Sequence, residues 1–172
     1  ALFLVATVLL TGCGSNTTLV EEIIFENAEK VSSDYDIIVV GGEPEGIAAA
    51  VSAARNGMRT LLIEDDGALG GLMTLGKLNF IDMCNGRDGT LLTQGIFEEF
   101  YNAVDGSAFD VTEAKNVFLQ MVVNEPNLTL RLNCQFVAPV KDGDTIIGIT
   151  ARENGSTVTY LGKRIIDATV DA

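Results

Sequence analysis

The sequence predicts an α/β fold in which a parallel central sheet carries helices and an antiparallel β-hairpin or meander. The first observation is the unbroken apolar run YDIIVV at residues 35–40, which is typical of a strand buried on both faces of a parallel sheet. The second is a glycine-rich turn followed by an alanine-rich helical pattern and another apolar run, RTLLIE at residues 59–64. The third is a pair of alternating segments on either side of Asn154-Gly155, which predicts the hairpin.

Residues 35–64 predict a β-α-β unit. The first strand ends at Gly41, and we expect a helix from about Pro44 to Asn56, because proline suits the first helical turn and Gly57 suits a C-cap. Apolar residues recur at helical spacing on one side of this helix, namely Ile47, Ala50, Val51 and Ala54. Since crossovers between parallel strands are right-handed, we expect the two strands to be parallel neighbours.

The rest of the chain predicts two more helices and the antiparallel strands. The helices are expected over residues 90–104 and 110–123, and Asp110 with Glu113 has the spacing of a capping box at the start of the second. Residues 127–140 predict one or two strands. The hairpin then leads into a last buried strand.

Composition limits the possible functions. The chain has 172 residues, of which 47% are hydrophobic, which is enough for one globular domain with a sizeable core. A net charge of −13 would repel phosphate backbones and anionic headgroups, so we expect no nucleic-acid partner. The sequence contains no histidine, the commonest general base and metal ligand. We therefore expect no metal site and no catalysis by histidine, so that chemistry would need other groups or a cofactor.

The three cysteines are far apart in the sequence. Cys13, Cys84 and Cys134 form neither a CxxC pair nor a zinc-ligand spacing. We interpret Cys84 and Cys134 as small buried hydrophobic residues. The alternative is a disulfide between them, because the compartment predicted from the N-terminus is oxidising.

The N-terminus predicts export and lipid attachment. Residues 1–15, ALFLVATVLLTGCGS, have the layout of a secretory signal followed by its cleavage site. LTGC at residues 10–13 resembles the bacterial lipobox, in which the cysteine is lipidated. The alternatives are an ordinary signal peptide with a chance cysteine and a buried apolar strand. Cys13 is thus the predicted lipidation site, and the chain divides into a signal peptide, a tether and a main domain at residues 1–12, 13–33 and 34–172.

Candidate ligand-binding residues concentrate after the first two strands. A strand, a glycine-rich turn and a helix bring backbone N–H groups and the positive end of the helix dipole to one point, which suits a pyrophosphate. Gly41 allows the tight turn and Gly46 the close approach of helix and strand, while Glu43 stands where a glycine is expected. Glu64 ends the second strand, where an acid accepts hydrogen bonds from ribose hydroxyls. The predicted nucleotide-binding set here is Gly41, Gly42, Glu43, Pro44, Glu45, Gly46, Glu64 and Asp65.

Residues 34–76, DYDIIVVGGEPEGIAAAVSAARNGMRTLLIEDDGALGGLMTLG, resemble the N-terminus of FAD-dependent oxidoreductases with the glutathione-reductase-like, Rossmann-like FAD-binding fold. The resemblance runs from about Ser33 to the last residue and implies FAD as the cofactor. It implies that Gly70 and Gly71 lie near the flavin side of the cofactor. The other residues that it implies are Met73 and Thr74 beside that glycine pair, Phe136 and Val137 in the strand that passes the adenine, and Ala168 and Thr169 beside the pyrophosphate.

Two residues depart from the family pattern. Glu43 replaces the middle glycine of the turn, and Val170 replaces the glycine of the ATG-type motif. A bare carboxylate against a pyrophosphate would cost several kcal/mol at low effective dielectric. We therefore expect the Glu43 side chain to point away from the phosphates while its backbone N–H faces them.

These observations predict the N-terminal part of a membrane-anchored, extracytoplasmic FAD-dependent oxidoreductase in which the flavin carries the redox chemistry. Both ends look cut from a longer chain, so we expect an incomplete domain without turnover of its own, and we name no catalytic residue. The alternative is a non-catalytic nucleotide-binding surface lipoprotein that has lost flavin binding. A NAD-linked dehydrogenase is disfavoured, because the Gly70-Gly71 element and the hairpin before the last strand fit the flavin fold better.

Overall fold

The computed structural model describes residues 29–170, with side chains from residue 35 onward. The predicted signal peptide, the lipidation site Cys13 and most of the predicted tether lie outside the described residues. The strands of the described part are β1 (Glu29–Val40), β2 (Thr60–Glu64), β3 (Leu128–Leu132), β4 (Cys134–Asp142), β5 (Thr145–Glu153) and β6 (Ser156–Asp167). Its helices are α1 (Pro44–Arg55), α2 (Gly71–Thr74), α3 (Ile96–Ala103) and α4 (Val111–Val123).

These strands form one sheet in the order β3-β2-β1-β6-β5-β4. β3, β2, β1 and β6 pair in parallel, whereas β5 and β4 continue from β6 as an antiparallel meander. The register of β1 and β2 sets Ile37 opposite Thr60 and Val40 opposite Ile63. The predicted fold class is confirmed, including the parallel pairing of the first two strands.

Strand β1 lies inside the sheet and is longer than predicted. Its apolar run is well covered, since Ile38 and Val39 are completely buried. The strand begins at Glu29, so residues 29–33, predicted as tether, extend it instead. The reason is that β6 is long and its first half needs a backbone partner, which this extension supplies with Glu29 opposite Val158.

Helix α1 packs on one face of the sheet as its sequence pattern predicts. The apolar side of the helix is buried, and its members are Ile47, Ala50, Val51 and Ala54. Asn56 is the C-cap, one residue before the predicted Gly57, which follows with a φ of +80°. This packing fixes where the N-terminus of α1 lies relative to the strand ends.

Three aromatic rings complete the core on the same face. Phe100 of α3 stacks on Phe118 of α4 at a centroid distance of 4.2 Å and meets Phe109 edge-on at 5.6 Å. All three side chains are buried together with α1 in one apolar cluster. Leu69, in the loop after β2, belongs to the same cluster, so this loop packs against the aromatic rings and α1.

The β4–β5 hairpin contributes to a second core. That core combines Ile38 of β1 with Cys134, Ile149 and Tyr160. The Tyr160 hydroxyl donates to the Glu153 carboxylate at 2.8 Å, and burial raises the pKa of Tyr160 to about 12. The meander thereby forms a wall beside the ends of the parallel strands.

The helix predicted over residues 90–104 is shorter in the structure. α3 begins at Ile96, directly after Gly95, whose positive φ of 74° is not helical. Upstream, the Leu92 N–H donates to the Cys84 carbonyl oxygen at 3.2 Å instead of continuing a helix. The glycine and this competing bond together place residues 90–95 in a loop.

Helix α4 and the hairpin turn follow the prediction. Asp110 is the N-cap of α4, and its side chain accepts hydrogen bonds from the N–H groups of Thr112 and Glu113 at 2.7 and 3.1 Å. Asn154 and Gly155 have φ values of 51° and 80° between two antiparallel strands. Such left-handed values are what a two-residue hairpin turn requires.

The two described cysteines differ. Cys134 is buried, as predicted, and burial raises the pKa of its thiol to about 11. Cys84 is exposed, contrary to the prediction, because it lies in the loop ahead of α3 rather than in the sheet. Both are free thiols, so the alternative of a disulfide between them is wrong.

No helix within residues 29–170 combines the length and the apolar character that crossing a bilayer requires.

Candidate functional site

A cleft of about 810 Å³ opens at the carboxyl edge of the parallel strands. Open α/β sheets bind their ligands at this edge, and small-molecule pockets have volumes of about 300–1,000 Å³. The ends of β1, β2 and β6 form its floor, and residues of β4 and β5 form one wall. The cleft is therefore large enough for one half of a dinucleotide.

The turn after β1 is tightly built from backbone. Gly41 has a φ of +102°, and a Cβ at this position would lie 2.5 Å from the Ala168 carbonyl oxygen. A Cβ at Gly46 would collide with the carbonyl oxygen of Gly41. Close backbone contacts thus require a glycine at both positions.

Helix α1 starts in this turn with an open N-terminus. Glu43 occupies the N-cap position and Pro44 follows it in the first turn, yet no side chain of the described residues caps the helix. The first N–H groups of α1 are therefore available to an anion, which the helix dipole also favours. Pro44 and Glu45 lie outside the cleft wall, and the Glu45 side chain is exposed to solvent, so at these positions only backbone can serve a ligand.

Glu64 connects the end of β2 to this turn. Its Oε2 accepts a hydrogen bond from the Gly42 N–H, and its Oε1 accepts one from the Asp66 N–H at 2.8 Å. A carboxylate has about four lone-pair sites, so Glu64 retains capacity for ribose hydroxyls. Glu64 thus holds the turn in place and also lines the cleft, next to Asp65.

The Glu43 side chain extends from the turn toward α2. Its Oε2 accepts a hydrogen bond from the Leu72 N–H at 3.3 Å, and its carboxylate fills the space that a side chain at Gly71 would need. Glu43 is one of the residues that line the cleft, whereas Gly71 and Leu72, which its carboxylate contacts, are not. The orientation of this carboxylate relative to a bound phosphate stays a prediction. Burial raises the pKa of Glu43. Neighbouring carboxylates raise the same pKa further, namely those of Glu45, Glu64 and Asp66.

The second glycine pair is constrained by side chains. A Cβ at Gly70 would lie 2.5 Å from the Phe118 ring, and Gly70 has a φ of +90°. Thr74 is buried and its hydroxyl donates to the Leu69 carbonyl oxygen at 2.6 Å, so it holds the loop rather than facing the cleft. The glycine pair and Met73 also lie outside the cleft wall. Glu43, which lines the cleft, contacts their loop by accepting a hydrogen bond from the Leu72 N–H.

Of the site residues predicted in the last strands, some line the cleft and others do not. Phe136 and Thr169 line the cleft, and Phe136 is 40% exposed. Val137 is outside the wall and lies where the register of β4 with β5 shifts, between Phe136 and Ala138. The Ala168 N–H donates to the Val40 carbonyl oxygen at 2.8 Å, which places the backbone of Ala168 beside the turn.

Sequence reasoning missed several lining residues. Asp167 ends β6, and its carboxylate accepts hydrogen bonds from the backbone and the hydroxyl of Thr169 at 3.1 and 2.7 Å. Asp167 could have been predicted from its place at the end of a strand, which is the signal that identified Glu64. The wall of β4 and β5 gave no local signal, because it depends on how the hairpin packs. Its missed residues include Gln135, Pro139, Ile146 and Ile149.

The cleft combines acidic and apolar lining residues. No lysine or arginine lines it within the described part of the chain, and its carboxylates are Glu43, Glu64, Asp65, Asp66 and Asp167. The apolar residues suit an adenine ring, whereas the carboxylates repel a phosphate. Of these acids, Glu43 is the one that belongs to the glycine turn itself.

The described residues fit the adenosine diphosphate part of FAD. The glycine turn leaves space that side chains would fill, the N-terminus of α1 offers uncapped N–H groups, and Glu64 stands at the end of the neighbouring strand.

Comparison with known sequences gives one family. The sequence model of the family described as FAD dependent oxidoreductase matches residues 36–172. The tRNA uridine 5-carboxymethylaminomethyl modification enzyme MnmG of Nitratiruptor is 32% identical over 153 residues, covering 78% of this chain and 24% of that protein. Dihydrolipoyl dehydrogenase of Trypanosoma brucei brucei is 44% identical over 48 residues, covering 28% of this chain and 10% of that protein. The chain thus spans about a quarter of the length of its MnmG relative.

Solved structures share the fold. Thermovibrio ammonificans THI4 superposes with a TM-score of 0.58 at 20% identity, covering 90% of this chain and 66% of that one. The GidA-related protein from Thermus thermophilus also gives a TM-score of 0.58, at 14% identity, with coverage of 80% and 53%. At such identities the similarity is one of fold.

Proposed function

This chain belongs to the FAD-dependent oxidoreductase family, whose cofactor is FAD, and we propose that its residues 34–172 hold the ADP moiety of FAD in the cleft. The observation that carries the proposal is the convergence of three features at one edge of the sheet. They are the Gly41–Gly46 turn, the uncapped start of α1, and Glu64. A dinucleotide needs this combination from a β-α-β unit.

Each part of the cleft then has its own role. The N–H groups of the Gly41–Gly46 turn bind the pyrophosphate, while Glu64 accepts hydrogen bonds from the ribose. Phe136, Ile146 and Ile149 form the apolar wall for the adenine. When bound, the flavin supplies the redox chemistry, and this chain contributes binding and orientation.

The proposal is tested by titrating the 172-residue chain with FAD, ADP and FMN in a calorimeter. FMN is the matched control, because it carries the flavin and a phosphate but lacks the adenosine half. We expect ADP and FAD to bind with affinities within about tenfold of each other, and FMN to bind at least about tenfold more weakly. Equal binding of FMN and FAD would show that the cleft does not select the adenosine half. Failure of both ADP and FAD to bind would rule out the site.

The same proposal limits what the chain does by itself. It spans about a quarter of its MnmG relative, and its cleft addresses the adenosine and the pyrophosphate. A flavin ring left in water is neither oriented toward a donor nor protected from side reactions. We therefore expect residues 34–172 to bind FAD weakly and to show no substrate-dependent flavin reduction. Tight FAD binding and flavin reduction should appear when further sequence of the family type follows.

We further propose that Cys13 attaches this protein to the extracytoplasmic side of a bacterial membrane. The support is the LTGC sequence at residues 10–13 after an apolar run. Two acyl chains suffice for stable anchoring, whereas one chain is marginal. Radiolabelled palmitate should be incorporated into the expressed protein and not into the Cys13→Ser variant. Labelling that persists in Cys13→Ser would refute the anchor and leave the FAD site unaffected.

A further inference from the structure

The Glu43 carboxylate joins two separate loops beside the cleft. Glu43 belongs to the turn between β1 and α1, and its Oε2 accepts a hydrogen bond from the Leu72 N–H of α2 at 3.3 Å. Any Cβ at Gly71 would collide with this carboxylate. The absence of a side chain at residue 71 therefore provides the space in which the carboxylate lies.

The same carboxylate lies at the turn proposed for the pyrophosphate. Glu43 is the N-cap residue of α1 and one of the residues that line the cleft, and the carboxylates of Glu64 and Asp66 act on its pKa from the same edge of the sheet. A phosphate at the start of α1 and the Glu43 carboxylate in this position would be like charges at short range, which is strongly unfavourable. The two anions therefore compete for the turn.

We propose that Glu43, Gly71 and Leu72 form a clasp across the entrance to the phosphate-binding turn, and that binding of the ADP moiety displaces the Glu43 carboxylate from it. This inference rests on the proposed FAD site and adds a residue that controls access to it. Glu43 acts here as a competing internal anion rather than as a ligand of the cofactor. Its removal should strengthen binding, in contrast to the usual effect of removing a binding residue.

The clasp makes binding depend on pH. Carboxylates face Glu43 from the surrounding elements: Glu45 from α1, Glu64 from the end of β2 and Asp66 from the following loop. α2 presents the Leu72 N–H. Protonation of Glu43 removes its negative charge, so ADP affinity should rise as the pH falls and level off below the pKa of Glu43 in the free protein.

The main test compares ADP affinity of the full chain with that of Glu43→Gln and Glu113→Gln. Glu43→Gln keeps the size of the side chain and removes the charge. Glu113→Gln is the matched control, because it removes an exposed carboxylate from the first turn of another helix, α4, outside the cleft wall and away from the clasp. We expect Glu43→Gln to bind ADP about tenfold more tightly than the unmodified chain at about pH 7.5, and Glu113→Gln to differ by about twofold or less.

The pH dependence is read against the same variant. The ratio of the two affinities, Glu43→Gln over the unmodified chain, should shrink toward one as the pH falls from about 7.5 toward the pKa of Glu43, which burial raises. Using the ratio cancels the titration of ADP itself. A ratio that does not change with pH would contradict the clasp.

A stability cycle tests the clasp without any ligand. Gly71→Ala is made in the unmodified chain and in Glu43→Ala, and urea unfolding is measured for all four proteins. The strain of an alanine at a φ of +37° is common to both backgrounds and cancels. We expect Gly71→Ala to lower the folding equilibrium constant at least about twofold more when Glu43 is present. Additive effects would mean that the two residues do not interact.

The outcomes separate the two ideas. If ADP and FAD bind to none of these proteins, the proposed function fails and the clasp fails with it. If ADP binds equally well to the unmodified chain and to Glu43→Gln, the FAD site stands and the clasp is wrong. If Glu113→Gln improves binding as much as Glu43→Gln, the effect is one of general charge, and the clasp is again wrong.

Discussion

The two glycine turns beside the cleft, Gly41–Gly46 and Gly70–Gly71, need their glycines for different reasons. In the first turn, a Cβ added at Gly41 or Gly46 would meet a backbone oxygen, that of Ala168 or Gly41, and only at Gly42 would it meet side chains, those of Leu69 and Glu64. In the second, it would meet side chains, the Phe118 ring at Gly70 and the Glu43 carboxylate at Gly71. Both turns contain glycines with positive φ, so the difference lies in what surrounds them.

The two turns therefore differ in how freely the atoms around them can move. Backbone atoms of a strand end and a helix start cannot move without breaking the β-α-β unit, so the first turn is fixed by the fold. Side chains can shift where backbone cannot, and the partly exposed Glu43 side chain can adopt another rotamer, so the second turn is the more adjustable of the two. The first turn is therefore suited to holding a phosphate, and the second to controlling access to it.

The largest expected effect is that of Gly46→Val. The added side chain would collide with the Gly41 carbonyl oxygen and approach Ala168, so α1 could not pack against β1. We expect a loss of about 3 kcal/mol or more, a large part of the stability of such a domain, and loss of ADP binding. Urea unfolding followed by circular dichroism measures it. Gly67→Ala is the control, because its Cβ would meet the Asn133 side chain at an ordinary distance of 3.4 Å. Unchanged stability of Gly46→Val would refute the distinction between the turns.

Gly70→Ala should have a smaller effect, because a side chain can yield. Its Cβ would press on the Phe118 ring, which stacks on Phe100, and the φ of +90° adds strain. We expect destabilisation of about 1–3 kcal/mol in urea unfolding. In a Phe118→Leu background, Gly70→Ala should reduce the free energy of unfolding by less than it does when Phe118 is present. A cost that is independent of residue 118 would attribute the whole effect to the backbone.

Glu64→Gln addresses the side chain that fixes the first turn to β2. The glutamine keeps one acceptor oxygen, so one of the hydrogen bonds from the Gly42 and Asp66 N–H groups is lost. Hydrogen bonds to charged groups contribute about 1.5–3 kcal/mol, and we expect a loss of about 1–2 kcal/mol together with weaker ADP binding. Asp65→Asn, which changes the adjacent acid of the cleft, should leave stability nearly unchanged. Equal losses in both variants would show that Glu64 has no special role.

The smallest expected effect concerns salt. The lining residues of the cleft include five carboxylates and, within the described chain, no basic side chain, so added salt should screen repulsion of ADP. ADP affinity should rise about twofold to threefold between low and physiological ionic strength, whereas basic phosphate sites lose affinity. Adenosine, which has no phosphate, is the control and should show no such rise. A fall in ADP affinity would indicate that a cation outside the described cleft dominates.

Much of the fold could be predicted because its signals are local. The run YDIIVV, the helix with Ala50 and Ala54 on one side, and Asn154-Gly155 each define an element within a few residues. Helix α3 was the exception, since Gly95 and a hydrogen bond between Leu92 and Cys84 shorten it. Competition between neighbouring turns and a helix is not visible in a periodic pattern.

The candidate site could be predicted in part. Gly41, Glu64 and Thr169 lie at the cleft because each sits at or just after the end of a strand, and strand ends meet at one edge of a parallel sheet. Thr74 and Val137 carry the same family resemblance but face other atoms. Whether the side chain of a residue beside a site points into that site depends on packing. A sequence resemblance carries no information about packing.

Short-range backbone preferences and fixed spacing were enough to predict the β-α-β unit, helix α4, the hairpin turn, the glycine turn and the acid at the end of β2, whereas the short helix α2 was not predicted. Tertiary structure alone decided that β4 and β5 wall the cleft and that Glu43 reaches Leu72. Both contacts join residues far apart in the chain, and the direction of a side chain is chosen by the atoms that surround it after folding.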